Sequence, residues 1–196
     1  WDRHREAYEL FRRLWREDKV TWSGKFRPPL DGAETLPRPL QQSIRIWHGS
    51  ASNTASVDLA ARWGDPVFSQ NVLNTIEPFA ELIRYYRERW IHYGRDPADA
   101  LVGVGCGGCY CAKNSQDAIA TYRPIYETRQ AARSTSIKSV FHSLEDAIER
   151  GPYLVGSPQQ IIDKVQRFHE YFGHEVLHIG ADSSGLTRAQ QRGTLE

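Results

Sequence analysis

Apolar residues recur at three- and four-residue spacing near the start of the chain. Tyr8, Phe11, Leu14 and Trp15 share one face of a helix predicted from about Asp2 to Arg16. The next stretch, VTWSGKFRPP, reads as two short β-like pieces around the turn-forming pair Ser23-Gly24. Pro28, Pro29, Pro37 and Pro39 then make an extended connector. From residue 43 onward one theme repeats. The apolar run SIRIWHG is followed by a helix pattern over 53–63, and DPVFSQ by a helix over 75–92 that closes near Gly94. ALVGVGCGG, extendable through CYCA, precedes a helix from about Ser115 to Arg133, and a polar stretch from Ser134 to Ser143 interrupts. Ser157-Pro158-Gln159-Gln160 opens a helix with a capping-box pattern and proline in its first turn. That helix ends near Gly173 and leads into a last strand, EVLHIGAD.

Strands alternating with helices predict parallel βα units and an α/β fold. Four such strands can build a small open sheet or half of a TIM (β/α)8 barrel. Each runs from an apolar body to a small or polar tip, as barrel strands do when they deliver side chains to one C-terminal rim. The rim would hold His48 and Ser50, then Ser69, Gln70 and Asn71, then Cys106 to Cys109, then Asp182 and Ser183. The barrel is the reading adopted, although open α/β sheets also bind ligands at strand C-termini.

The first tip carries the most informative chemistry. IRIWHGSASNTASVDLAARWG runs from an apolar strand through His48-Gly49 into Ser50, Ser52, Asn53, Thr54 and Ser56, and then into a helix. Strand, small polar loop and helix N-terminus suit a phosphate: N–H groups and the helix dipole face the anion, and small side chains admit it. The same residues also cap helices with no ligand present.

Composition narrows the classes. With 40% hydrophobic and 25% charged residues the chain reads as a globular, water-soluble protein. A net charge of +1 gives no general reason to expect nucleic acid or an anionic membrane as partner. No apolar run reaches the ~20 residues of a membrane helix, and the charged N-terminus is not a secretory signal. Three cysteines point away from a disulfide framework and toward a reducing cytoplasm. The sequence has no methionine, and Trp1 already lies inside a helical pattern; both suggest part of a longer chain.

At this point the chain resembles the bacterial luciferase-like monooxygenases. ELFRRLWREDKVTWSGKF is similar to the family's helix, "LW", spacer and "V-x-x-x-G-x-F" segment. LPRPLQQSIRIWHGSASNTASVDLAARWGDPVF resembles its "P-R-P-x-Q" connector, strand, Gly-Ser loop, "LAA" helix and "GD" strand. YLVGSPQQIIDKVQRFHEYFGHEVLHI resembles its "G-S-P" helix and closing strand. The resemblance covers almost the whole sequence. It implies that residues 1–196 form the C-terminal part, roughly strands 5 to 8, of a single TIM-barrel domain. It also implies a cytoplasmic enzyme, a homodimer, that uses reduced FMN from a separate flavin reductase, with dioxygen, to oxygenate a small organic substrate. A related branch binds a deazaflavin coenzyme and transfers hydride; a non-catalytic flavin-binding subunit is the remaining alternative. By position, Gly49, Ser50 and Ser52, with Asn53 and Ser56, match the loop that contacts the flavin phosphate. The family's catalytic histidine and phosphate-binding arginine map to no residue here. A half barrel would have open edges, so a longer protein or a completing partner is expected, and an isolated 1–196 segment is expected not to fold stably.

Other candidates carry two readings. His48 is an acid/base or flavin contact, or a strand-end histidine paired internally. Ser69, Gln70 and Asn71 face substrate or flavin, or simply connect strand to helix. Cys106 and Gly107 lie near the rim and could line the flavin pocket. Cys106, Cys109 and Cys111 form C-x2-C-x-C, but a strand setting and the missing fourth ligand favour small buried residues over a metal site. Trp47 and Trp63 read as core. His169, His174 and His178 show no ligand geometry, with His169 solvated. Arg84, Arg87, Arg89 and Arg95, interleaved with Glu81 and Glu88, read as a solvated helix face.

Overall fold

Helix α1 (Asp2–Arg16) forms over the span that its apolar spacing predicts. It buries Leu10 against Val20 and Trp22. The C-terminal carbonyls of α1 are satisfied from outside the helix. Arg38 donates to Leu14 O at 3.0 Å and Trp15 O at 3.1 Å, and Thr35 Oγ1 donates to Leu14 O at 2.7 Å. This is a computed structural model, and it describes residues 1–41, 43–70, 74–133, 139–180 and 185–196, with only the backbone of Gln70. The chain divides into two compact units, 1–46 and 47–196.

In the first unit β1 (Val20–Trp22) pairs antiparallel with β2 (Leu30–Ala33), Trp22 opposite Leu30. The second β piece therefore lies beyond Pro28-Pro29, not at KFRP. The reason is Glu6, whose carboxylate accepts the Lys25 and Phe26 N–H groups at 2.8 and 3.0 Å. Those donors hold a loop instead of a ladder. Ile44 and Ile46 are not in a strand. They are half-buried beside a cavity of about 30 Å³ shared with Arg12 and Trp15.

The second unit begins with β3 (His48–Gly49), the only part of SIRIWHG that forms a ladder. Then follow α2 (Thr54–Trp63), β4 (Val67–Gln70), α3 (Glu77–His92), β5 (Val102–Gly105), β6 (Gly108–Cys111) and α4 (Ser115–Ala131). The chain ends with α5 (Leu144–Arg150), β7 (Tyr153–Gly156), α6 (Pro158–Phe172), β8 (Val176–His178) and α7 (Arg188–Leu195). A four-stranded parallel sheet has the order β3-β4-β5-β8, and β6 pairs in parallel with β7. The four expected strands are thus present but short, and the third is split. Cys106 N donates to His178 O at 3.2 Å and Gly107 N to Pro152 O at 3.0 Å. These two residues hand the backbone from one neighbour, β8, to another, β7.

One face of the four-stranded sheet carries the core. Val67, Val102 and Val104 pack there with Phe79, Ile83 and Tyr86 of α3 and Phe168 of α6. Period-2 alternation puts Phe68 and Gly103 on the opposite face, and the register places Gly103 beside Phe68 and His178 beside Gly105. A second core joins Tyr110, Tyr122, Tyr126, Leu144, Tyr153 and Val155.

The arginines of α3, and Arg95 just beyond it, are not simply solvated. Arg87 donates to Gly173 O at 2.7 Å, Arg89 pairs with Asp58 at 2.5 Å, and Arg95 donates to Ala61 O at 3.0 Å. They tie α3 to α2 and to the end of α6. Arg84 remains exposed.

Candidate functional site

The parallel register brings four strand C-termini side by side, at Gly49, Gln70, Gly105 and His178. The loop after Gly49 folds on its own side chains. Ser50 N donates to Phe68 O at 3.1 Å, which holds the loop against β4. Ser50 Oγ donates to Asn53 O at 3.1 Å and accepts from Asn53 N at 3.2 Å. Asn53 is the N-cap of α2; its Oδ1 accepts from Ala55 N at 2.9 Å and Ser56 N at 3.3 Å. Ser56 Oγ donates back to Gly49 O at 3.4 Å. Ser50, Asn53 and Ser56 therefore brace the loop, and Ser52 stands exposed on it.

The loop nevertheless suits an anion. The first turn of α2 has no acidic residue. A Cβ built on Gly49 would meet no atom within 4 Å, so the backbone there is open to close approach. Asp58, one turn further on, is engaged by Arg89 and by the Tyr93 hydroxyl at 3.2 Å.

His48 lies on the other side of β3. Its Nε2 is 3.2 Å from Asp65 Oδ2, with both side chains 7% exposed. Tyr86 donates to Asp65 O at 3.0 Å, so this polar pair is locked under α2 and α3. Ser69 also lies on the helix-covered face, with Val67; it is 2% exposed and its Oγ is buried with no hydrogen-bond partner. Cys106 is buried at the end of β5, and burial pushes its thiol pKa up. Asn71, Asp182 and Ser183 lie outside the described residues, as does the Gln70 side chain.

Cys109 is buried and Cys111 half-buried on one face of β6. Burial pushes the Cys109 thiol up to about 12. Among the described residues no group of three His, Cys, Asp or Glu side chains is placed to hold a metal ion. His169 is exposed, with Nδ1 3.1 Å from His174 O, and His174 is buried.

Pattern reading passed over the sheet's second face. Phe68 meets Trp47 edge to face at 6.3 Å between centroids and His178 at 6.1 Å. Gly103 makes room for them: a Cβ there would sit 2.6 Å from Phe68 and 3.0 Å from Trp47. The alternation of Gly103 and Gly105 with Val102 and Val104 was the available signal. Glycines on one face of a strand mark a close approach from a neighbour.

A parallel α/β unit with a small polar loop, a helix N-terminus and an aromatic sheet face at the strand C-termini is a ligand-binding architecture. The family model described as luciferase-like monooxygenase matches residues 1–175, and the chain belongs to that family. Solved structures agree on the fold. Monooxygenase RslO1 from Streptomyces bottropensis is 25% identical with a TM-score of 0.83, over 97% of this chain and 56% of that one. The oxygenating constituent of 3,6-diketocamphane monooxygenase from Pseudomonas putida, solved with FMN, is 19% identical with a TM-score of 0.64, over 97% and 59%. An F420-dependent secondary alcohol dehydrogenase, solved with an F420-acetone adduct, is 18% identical with a TM-score of 0.65, over 88% and 54%. The chain thus spans just over half the length of these proteins. No curated protein matches it. No helix among the described residues is long and apolar enough to cross a membrane.

Proposed function

We propose that this chain is the flavin-phosphate-binding part of a flavin-dependent monooxygenase, completed by further strands into a TIM barrel in which β3, β4, β5 and β8 are the last four. The observation that carries this reading is the loop 49–56, open at Gly49 and free of acidic residues in the following helical turn, at the C-terminal end of a parallel sheet. Bound reduced FMN would supply the electrons that activate dioxygen; the protein's part is to bind, orient and exclude water.

In this assignment the side chain and backbone of Ser52 and the backbone of Ala51 hold the phosphate, which approaches over the open side of Gly49. Ser50, Asn53 and Ser56 fix the loop's shape. His48, paired with Asp65, holds the strand from which the loop departs and acts as a positioning residue. Phe68 and His178 offer an aromatic floor for the flavin ring, with Cys106 at its border. Ser69 supports β4 from the helix side.

The substrate is a small organic molecule, a separate reductase supplies the flavin, and the working protein is a cytoplasmic homodimer. The solved F420-dependent relative favours a second reading, with a deazaflavin coenzyme and hydride transfer in place of oxygen chemistry. Titration of the full-length gene product with reduced FMN and, separately, with reduced deazaflavin decides between them. Tight FMN binding with oxygen-dependent turnover supports the first reading. Binding of deazaflavin alone, with anaerobic turnover, replaces it by the second.

A further inference from the structure

Lys164 of α6 lies in the wall of a groove between α4, α5, β7 and α6, with a cavity of about 450 Å³. Ile119 of α4, Ile148 of α5, Leu154 of β7 and Ile161 of α6 give the groove an apolar lining. Lys164 is 6% exposed, and its Nζ donates to Ile148 O near the end of α5. Among the described residues it forms no ion pair with a carboxylate. The elements around this groove are not those that build the loop 49–56.

The bond to Ile148 O satisfies one donor of the side chain but does not neutralise its charge. An ammonium group buried without a counter-charge is costly, and losing its proton removes that cost. Burial accordingly lowers the Lys164 pKa from 10.5 to about 7. Arg167, one turn on, adds to the lowering, and the Cys106 thiol opposes it. Glu149 and Asp163 are the other charged groups of the groove. Both are exposed, and Gln159 Nε2 donates to Asp163 at 2.7 Å. From α4 and β7 the groove receives Ile119, Leu154 and Val155, all apolar.

An amine that is neutral near pH 7 is a nucleophile, and desolvation beside a second cation is a known way to make one. We propose that Lys164 is a covalent capture site for small aldehydes, with the alkyl chain held among the isoleucines and the carbonyl carbon at Nζ. The Nζ lone pair adds to the carbonyl carbon. The two amine protons and the carbonyl oxygen then leave as one water molecule, and a C=N bond replaces C=O. No oxidant or reductant is consumed. Glu149 and Asp163 border the groove and can relay the protons. Nothing in this chemistry depends on bound flavin.

The test treats the full-length gene product at pH 7 with butanal and cyanoborohydride, which reduces each imine to a stable butylamine. Proteolysis and mass spectrometry then locate the adducts. Lys19, Lys25 and Lys113 are exposed and serve as internal references. An exposed lysine is neutral at pH 7 only about once in several thousand, so Lys164 should be labelled at least about tenfold faster than each reference. The advantage should vanish in urea. Glycolaldehyde, which lacks the alkyl chain, should label Lys164 more slowly than butanal does, relative to the same references. The wild-type protein decides the question, so no variant has to fold. Lys164 labelled no faster than the exposed lysines, or labelled only as the protein unfolds, overturns the site. An advantage that persists in urea would belong to local sequence and not to the groove, and also overturns it. Equal labelling by glycolaldehyde overturns the groove as the seat of the aldehyde.

Discussion

Phe68 on β4 and His178 on β8 meet edge to face, 6.1 Å between ring centroids, although β5 lies between their strands. The contact exists because β5 presents glycine on that face, at 103 and 105. A side chain on β5 would stand between the two rings. The aromatic face thus depends on what β5 lacks.

Gly103→Ala tests that dependence. The new Cβ would be 2.6 Å from Phe68, so one of the two must move. We expect a loss of about 1–3 kcal/mol, the usual cost of overpacking. Chemical denaturation measures it. Phe68→Leu in the Gly103→Ala background should restore part of the loss, since the colliding groups are coupled.

Truncation of His48 should destabilise the fold. His48→Ala leaves the buried Asp65 carboxylate without the ring nitrogen 3.2 Å away. The expected cost is about 2–4 kcal/mol. Asp65→Ala added to His48→Ala should cost less than Asp65→Ala alone. Additive losses would mean that the two side chains are not energetically paired.

Lys164 should make stability rise with pH. It is buried on α6, donates to Ile148 O, and burial lowers its pKa from 10.5 to about 7. Arg167, on the same helix, adds to the lowering. Glu149 and Asp163 line the same groove. Between pH 7 and 10.5 the unfolded chain therefore binds more protons at this site than the folded one. Stability should rise through that window by up to about 1.4 kcal/mol per pH unit and stay flat below it. Lys164→Met should remove the slope. An unchanged slope in that variant would show that other groups cause it.

The cysteines should differ in reactivity. Cys109 is buried with its thiol pushed up to about 12, and Cys111 is more exposed. A thiol reagent at pH 8 should label Cys111 well before Cys109, because the thiolate is the reactive form. Elemental analysis after purification without added metal should find no stoichiometric zinc or iron. Labelling of Cys109 first, or zinc lost on mutating these cysteines, contradicts this reading.

Local signals made much of the fold readable. The Ser157–Gln160 capping box and Gly173 in the left-handed region bound α6 where the pattern places it. Asn53 and Gly64 do the same for α2. β7, α5 and α7 escaped, and β2 falls where an extended connector was expected. β7 is YLVG, buried throughout and without alternation, so it looks like an apolar lead-in to the next helix. Seven-residue α5 and eight-residue α7 are too short for periodicity to declare them. The division of ALVGVGCGGCYC into β5 and β6 follows from tertiary pairing with β8 and β7, which no local pattern records. In the candidate site, Ser50 and Asn53 were visible as residue types, but only geometry shows that their side chains turn inward to brace the loop. His48 was visible as a strand-end histidine; its partner Asp65 lies 17 residues away.

The central claim is that a flavin phosphate sits on the loop from Gly49 to Ser56. Ser52 is exposed on that loop and braces nothing, so Ser52→Asp changes charge without removing a loop hydrogen bond. The measurement is a fluorescence titration of full-length Ser52→Asp with FMN, beside wild type and Ser52→Ala. Like charge beside the phosphate should weaken binding by at least about tenfold, or roughly 1.4 kcal/mol, while Ser52→Ala changes it by much less. FMN affinity in Ser52→Asp equal to wild type would contradict the account.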